Sequence, residues 1–309
     1  MERQVIVIAG PTGSGKTKVS IELAKKINSE IISADSRQIY MHLDIGTAKP
    51  SNEDLETVKH HFINYLYPDE NYNVSRFENN ALEVVEKLFN NNKIPIVAGG
   101  SGLYIHAIVD GIFDAVDADD EFRQEFNLKR EKFGNEYWYE ELKKLDPQSA
   151  SEMLPQNWKR VMRALEVYHL SGQPIWKFQR DYKRETNINF IQFGIEWPRE
   201  ILYDNINNRV VTMISNGLVD EVKSILNAGY NSNLNSLNTV GYKEIISYLQ
   251  NEISLDRAVE LIKRNTRHYA KRQLTWFRKD KRIHWIKIQS GEQLKEIPDY
   301  IINHISNLK

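Results

Sequence analysis

From Val5 to Thr17 the chain reads VIVIAGPTGSGKT, a segment that few architectures can accommodate. A β-branched apolar run gives way to a glycine-rich turn, and the residues after it place Val19, Leu23 and Ile27 at helical spacing. Strand, turn and helix in that order around G-x(4)-G-K-T form a phosphate loop, in which glycines let backbone N–H groups converge on oxygens. Gly10, Pro11, Thr12, Gly13, Ser14, Gly15, Lys16 and Thr17 are therefore expected to hold a diphosphate or triphosphate, with Lys16 as the mobile charge. The Thr17 hydroxyl is the expected ligand of Mg²⁺. The motif does not say what the phosphates are attached to.

Strand-like segments at Glu30 to Ala34, around His61 to Tyr65 and at Ile94 to Ala98 follow, with a helical pattern from Val74 to Phe89 before the last. Such alternation predicts a parallel sheet covered on both faces. After Asp110 and Gly111 the pattern changes: Asp119 to Gly172 is charged, aromatic and helical in period, with breaks at Gly134, Pro147 and Pro155. INFIQFGIEW, Ile188 to Trp197, returns the chain to the sheet. Helical stretches near 199–216, 218–228, 240–250 and 255–277 then precede a short strand at 284–288 and a closing helix. The predicted fold class is α/β, a P-loop NTPase-like parallel sheet core (1–115), interrupted by a helical insertion (116–187) and completed by 188–309.

With 41 basic against 42 acidic residues, overall charge points to neither nucleic acid nor membrane, so any such surface has to be local. The absence of cysteine excludes disulfides, thiolate metal sites and a cysteine nucleophile. The start of the chain does not read as a signal sequence and no apolar run approaches about 18 residues, so the expected address is the cytoplasm, with no membrane partner.

Two features weigh against an ordinary ATPase. No later strand ends in the apolar-apolar-Asp pattern of a Walker-B carboxylate; Ile94 to Ala98 runs into GGSG instead. The second strand delivers ADSRQIY, which puts Asp35 at a carboxyl strand end, facing the same crevice as Lys16. Taken alone, Asp35 could equally cap a helix or hold metal-bound water. GGSGLY, Gly99 to Tyr104, is either a strand-to-helix turn or a place where backbone approaches a ligand.

GPTGSGKT, ADSRQIYMHLDIGTAKP and VAGGSGLYIHAIVDG together resemble the bacterial tRNA dimethylallyltransferases, also called tRNA isopentenyltransferases. RVMRALEVYHLSGQP, LYDNINNRVVTMISNGLVDEV, TVGYKEIISYL and TRHYAKRQLTWFRK continue the resemblance, in the family's order, to about Lys279. Departures are small: Gly13 where Ala is common, Ser101 for the usual Thr, and Lys159 for Gln. The resemblance implies Mg²⁺-dependent transfer of a dimethylallyl group from dimethylallyl diphosphate to N6 of adenosine 37, beside the anticodon of tRNA. On that reading the loop holds the diphosphate of an isoprenoid. Asp35 is the candidate general base for the N6 proton. Lys16 and Mg²⁺ on Thr17 stabilise the departing diphosphate, and Arg209 in INNRV is the expected additional cation. The tRNA contacts that the resemblance implies fall on Asp35, Ser36, Arg37, Gln38, Ser101, Arg123, Lys159, Arg160, Arg163, Gly241, Tyr242, Lys243, Lys271, Arg272, Gln273 and Arg278.

An RNA substrate needs a basic surface, and Arg257 to Lys287 supplies one, with 11 Lys or Arg against 2 acidic residues. Arg264, Arg267, Lys271 and Arg278 form one helical stripe with Tyr269, Trp276 and Phe277 interleaved; by itself this is a solvated face with core aromatics, but with the family-like KRQLTW in it the resemblance favours backbone-phosphate contact. Lys159, Arg160 and Arg163 make a second basic turn, expected to meet the anticodon stem while the target base leaves its stack. His60, His61 and His106 lack a third ligand at zinc spacing and read as structural. The rival functions are a P-loop small-molecule kinase, which leaves the basic helix unexplained, and an RNA-binding NTPase without transfer chemistry. Nothing in the sequence demands a dimer, and a monomer is expected.

Overall fold

The computed structural model describes residues 3–112, 118–182 and 184–307. They fall into two compact units, Met1–Val109 with Thr186–Lys309, and Asp110–Glu185. The boundary expected at residue 116 lies outside the described residues.

The larger unit is built on a six-stranded sheet: β1 (Gln4–Ala9), β2 (Ile31–Ser33), β3 (His60–His61), β4 (Ile96–Gly99), β5 (Asn189–Glu196) and β6 (His284–Lys287). The spatial order is β3-β2-β4-β1-β5-β6, and every pairing is parallel. β1 is buried along its whole length; Val5, Val7 and Ala9 belong to one apolar layer, Ile6 and Ile8 to the other. That period-two alternation between two dry faces is what a central parallel strand requires. The layer of Ile6 and Ile8 is covered by α1 (Lys16–Ile27) and α14 (Ile297–Ser306). The other layer takes α3 (Val74–Asn90) and α4 (Gly102–Asp110), together with α11 (Leu218–Asn227) and α12 (Tyr242–Leu249). α10 (Arg199–Ser215) and α13 (Leu255–Phe277) contribute to both.

Local chemistry accounts for these elements. α3 starts where the Asn73 side chain accepts the Arg76 N–H (2.8 Å), a cap worth about 1 kcal/mol. It buries Phe77, Ala81, Val85 and Leu88, an i, i+4, i+8, i+11 stripe. The strand expected from His61 to Tyr65 is only two residues long, because Phe62 and Asn64 adopt positive φ (64° and 52°) and break the ladder. A short α2 (Asn52–Thr57), which the apolar pattern does not announce, starts at a Ser51–Asp54 capping box. Because β2 and β5 lie on opposite sides of the β1–β4 pair, the crevice beyond the carboxyl ends of β1 and β4 is a topological switch point.

The smaller unit is helical: α5 (Asp120–Phe133), α6 (Asn135–Leu145), α7 (Pro147–Ser151), α8 (Trp158–Ser171) and α9 (Ile175–Asp181). Its breaks fall at Gly134, at Pro147 and at the 3-10 turn opened by Pro155. Its core gathers Phe126, Leu142, Val161, Ala164 and Leu165, with the Phe126 and Trp138 rings stacked at 4.8 Å. No helix among the described residues is long and apolar enough to cross a membrane.

Candidate active site

At the switch point lies a cavity of about 390 Å³, bordered by Thr12, Lys16 and Thr17 of the loop and by Asp35 to Gln38 after β2. Arg209 of α10, Lys243 of α12, and Tyr269, Arg272 and Gln273 of α13 complete its polar lining. Lys16 and Thr17 open α1, so the positive end of that helix borders the cavity. The loop is braced from outside. Thr12 N–H donates to Gln273 Oε1 (2.9 Å), and the Trp197 indole N–H donates to the Ser14 carbonyl (3.0 Å). Gln273 Nε2 donates to the Gly100 carbonyl (2.8 Å), so one buried glutamine ties the phosphate loop to the turn after β4.

Charge in the cleft is out of balance. Lys16 Nζ donates to the Pro11 carbonyl (2.7 Å). Burial, then the neighbouring Arg209, pull its pKa down from 10.5 to about 7, with Asp35 acting the other way. Burial also lowers Arg209, again opposed by Asp35. Two cations thus share a partly buried space with one carboxylate, a field that an incoming diphosphate would relieve. Asp35 Oδ1 accepts the backbone N–H groups of Arg37 (2.9 Å) and Gln38 (3.3 Å), while Oδ2 accepts no hydrogen bond among the described residues. The carboxylate therefore caps its own turn with one oxygen and leaves the other uncommitted among the described residues.

Among the described residues no group of three or more His, Cys, Asp or Glu could hold a metal ion. Mg²⁺ favours sites of another kind, with one or two protein oxygens, substrate phosphates and water. Thr17 fits such a site: the residue lines the cavity, and its hydroxyl makes no hydrogen bond among the described residues.

The cavity brings together Lys16, Thr17, Asp35, Ser36, Arg37, Gln38, Arg209, Lys243, Arg272 and Gln273. Ser101 stands behind them, its Oγ accepting the Ser36 N–H (2.9 Å). GGSG is a turn and a close approach at once, but to the protein's own chain: a methyl group on Gly99 would be driven into the Ala34 carbonyl. Arg37 Nη1 donates to the Asn235 carbonyl (2.6 Å). Three of the expected tRNA contacts are engaged within the protein itself. Tyr242 is fully buried, Gly241 is buried with its N–H donated to Glu244 (2.8 Å), and Gln273 is occupied at both ends of its amide. The basic stripe also lies elsewhere than the cleft. α13 lines the cavity with Ile262, Thr266, Tyr269 and Gln273. At about 100° per residue, Arg264, Arg267, Lys271 and Arg278 sit roughly 140–200° around the helix from Ile262. Arg267 is bonded to Asn207 (2.6 Å) and Arg278 to Glu196 (2.6 Å); Phe277 is buried, whereas Tyr269 and Trp276 are exposed.

In the smaller unit, Glu166 is wholly buried and accepts Arg123 (2.6 and 3.0 Å), Arg163 (2.7 Å) and the Asp119 N–H (3.0 Å). Burial opposes its charge, but the two arginines outweigh burial and hold its carboxyl below the ordinary range. Arg123 and Arg163 are thus fixed on a core carboxylate, while Lys159 and Arg160 are exposed without an ion pair among the described residues.

Gly46, Thr47, Ala48 and Pro50 form a wall of the cavity to which the sequence pattern assigns no role. They make up the second half of ADSRQIYMHLDIGTAKP, but those residue types carry no evident chemistry. His61 pairs with Glu30 (2.8 Å), and His60, bonded through Nδ1 to the Val58 carbonyl (2.7 Å), lines the cavity's far side.

A family model described as IPP transferase matches residues 38–280. The tRNA dimethylallyltransferase of Acetivibrio thermocellus is 48% identical over 284 residues, covering 91% of each chain. That of Alkaliphilus oremlandii is 43% identical over 303 residues, 98% of this chain and 97% of its own. Among solved structures, the full-length tRNA isopentenylpyrophosphate transferase of Bacillus halodurans aligns with a TM-score of 0.72 at 35% identity, over 99% of this chain and 98% of that one. A eukaryotic dimethylallyltransferase acting on tRNA aligns with a TM-score of 0.80 at 27% identity, over 99% of this chain and 79% of that one. Phosphate loop, parallel sheet and motif order agree with these matches along nearly the whole sequence, and the chain belongs to the IPP transferase family, among the tRNA dimethylallyltransferases.

Proposed function

We propose that this protein transfers the dimethylallyl group of dimethylallyl diphosphate to N6 of adenosine 37 in the tRNA anticodon stem-loop. The observation that carries this reading is one cleft holding two under-compensated cations, Lys16 and Arg209, beside a carboxylate, Asp35, with an oxygen to spare. The cations bind the diphosphate and stabilise it as it leaves, which preorganised charge does well in a partly dry site. An exocyclic adenine amine is a poor nucleophile, because its lone pair is delocalised into the ring. Asp35 accepts its proton while the C–N bond forms and the allylic C–O bond breaks, so that neutral transferred product and diphosphate result. Mg²⁺, held by Thr17, supplies further charge neutralisation on the diphosphate when bound.

On the acceptor side, Lys243 and Arg272 line the cavity with Tyr269, offering cations for the RNA backbone and a ring against which an extruded base can stack. The helical insertion (116–187), through Lys159 and Arg160, is assigned a grip on the stem. The protein acts as a monomer in the cytoplasm on this proposal. Incubation with radiolabelled dimethylallyl diphosphate, Mg²⁺ and unmodified tRNA tests it. Label on the RNA supports transfer; ATP consumption without labelled RNA supports a kinase or NTPase instead.

A further inference from the structure

The cavity wall formed by Gly46, Thr47 and Ala48 is held from behind by a residue that does not line the cavity. Glu221, in the first turn of α11, accepts three successive backbone N–H groups: Asp44 (3.1 Å) and Ile45 (2.7 Å) on Oε2, and Gly46 (3.1 Å) on Oε1. Oε1 takes a fourth hydrogen bond from the Tyr242 hydroxyl (2.6 Å), at the start of α12. The Tyr242 ring lies so close under Gly46 that any side chain at that position would collide with it. Burial first, then Glu221, push the Tyr242 phenol well above its ordinary range, so it remains a donor. A run of N–H groups closing on a carboxylate is a strong, directional anchor.

What the anchor fixes is the next carbonyl along. Thr47 C=O accepts Arg209 Nη2 (3.3 Å) and Gln38 Nε2 (3.2 Å), and Ala48 C=O accepts the same Gln38 nitrogen (3.1 Å). Arg209 makes no other hydrogen bond among the described residues, so this carbonyl is its one hydrogen-bonding anchor there. We infer that Glu221 is a positioning residue for transfer: through residues 44–47 it sets the carbonyl that holds Arg209 in the diphosphate cleft. The inference rests on the proposed function for its chemistry, but its first readout is binding of a non-hydrolysable donor analogue, which needs no transfer to occur.

The test uses the full chain carrying Glu221→Gln, which keeps size but turns one acceptor oxygen into a donor facing N–H or O–H groups. Losing charged hydrogen bonds of this kind predicts an analogue Kd raised about 10-fold and a kcat lowered about 10- to 100-fold, with tRNA affinity within about twofold. A second readout separates positioning from mere scaffolding: if Glu221 acts through Arg209, Glu221→Gln should cost little further analogue affinity once Arg209→Gln is present, whereas a general loss of scaffold adds in full. A folded variant with unchanged analogue affinity, or full additivity in that double-mutant cycle, would overturn the inference. So would equal losses of donor and tRNA affinity accompanied by a lower Tm. Should Glu221→Gln fail to fold, Tyr242→Phe, which removes only the hydroxyl donor, decides: a smaller shift of the same pattern supports positioning, and no shift overturns it. Failure of the wild-type protein to label tRNA would instead strike at the proposed function, leaving the analogue-binding result to stand by itself.

Discussion

Donor binding should consume a proton, and its affinity should fall as pH rises above neutrality. In the donor-free protein, burial and Arg209 hold the Lys16 pKa near 7, against 10.5 for an ordinary lysine. A diphosphate beside Nζ favours the charged form and returns the pKa toward its ordinary value. The bound state therefore carries more protons than the free state between about pH 7 and 10, and binding weakens with rising pH across that window. Only below about pH 6 is Lys16 essentially charged in both states, and there it contributes no slope. The free protein has half of its Lys16 protonated at pH 7 and about 1% at pH 9, so the analogue Kd should rise about 50-fold between them. The diphosphate itself completes its ionisation near pH 6 to 7, outside most of the interval.

Titration calorimetry of a thiodiphosphate analogue at pH 8, in two buffers of different ionisation enthalpy, counts the protons directly; close to one per site is expected. Arg209→Gln supplies the internal control. It should weaken binding at pH 7 through the lost cation, yet move the bend of the profile upward, because one of the two influences that lower Lys16 is gone. A flat affinity from pH 7 to 9 with no proton uptake would refute this linkage, and with it the account of the cleft as under-compensated positive charge.

Other outcomes follow from the same geometry. Asp35→Asn keeps the shape and the cap on its turn but cannot take the N6 proton, so single-turnover transfer should drop about 10²- to 10⁴-fold with donor and tRNA affinities little changed; normal transfer with lost Mg²⁺ or tRNA affinity would make Asp35 a positioning group. Neutralising Lys243 and Arg272 should lower tRNA affinity and reduce the log–log salt slope by about 0.7 to 0.9 for each phosphate no longer neutralised. The same change at Arg264 and Lys271, on the opposite face of α13, should do less, and the reverse ranking would return the RNA to the basic stripe. In the smaller unit, Glu166→Gln removes the carboxylate that holds two partly exposed arginines and should cost about 1–3 kcal/mol in denaturant unfolding. Because the Glu166 pKa is depressed in the folded state, its contribution should be complete above the ordinary carboxylate range and fade as pH falls through the folded value. A wild-type-like midpoint in the glutamine variant would rule out a stabilising role for these ion pairs.

Much of the sheet can be read from the chain because its strands are dry on both faces, and long apolar runs such as Val5 to Ala9 admit few alternatives. α1 and α13 can be placed closely, the first by the phosphate loop before it and the second by its Ser254 cap and long apolar period. The 42–50 segment is opaque for the opposite reason: it works through backbone N–H and C=O groups, which every residue has. Glu221 reads in sequence as one more acidic residue in a first helical turn, and only the fold brings it to Asp44, Ile45 and Gly46. The basic stripe does not point to the cleft, because charge at helical spacing marks a solvent face, and the cleft lies on the other side of the same helix. Gln273 is legible as a motif residue, but its partners, Thr12 and Gly100, lie 261 and 173 positions away.

One structural detail bears on the kinase alternative. In ordinary P-loop NTPases a carboxylate in the Walker-B strand helps to hold the metal. Here β4 ends at Gly99, where even a methyl group would be driven into the carbonyl of Ala34, and Gly100 is pressed against Gln273. Neither Gly99 nor Gly100 has room for a carboxylate, so on the proposed function the metal would rest on Thr17 and on the ligand's own phosphate oxygens. The carboxylate that does border the cavity, Asp35, comes instead from the end of β2, separated from the β1 loop by β4, and presents an uncommitted oxygen. On the proposed function the cleft separates two tasks along its length: cations at the loop for the departing diphosphate, and a proton acceptor at the end of β2 for the incoming amine. Gln273 ties the loop to the turn after β4, and Ser101 in that turn accepts the Ser36 N–H beside Asp35, so a chain of hydrogen bonds runs from the loop to the β2 end and limits how far the two can drift apart.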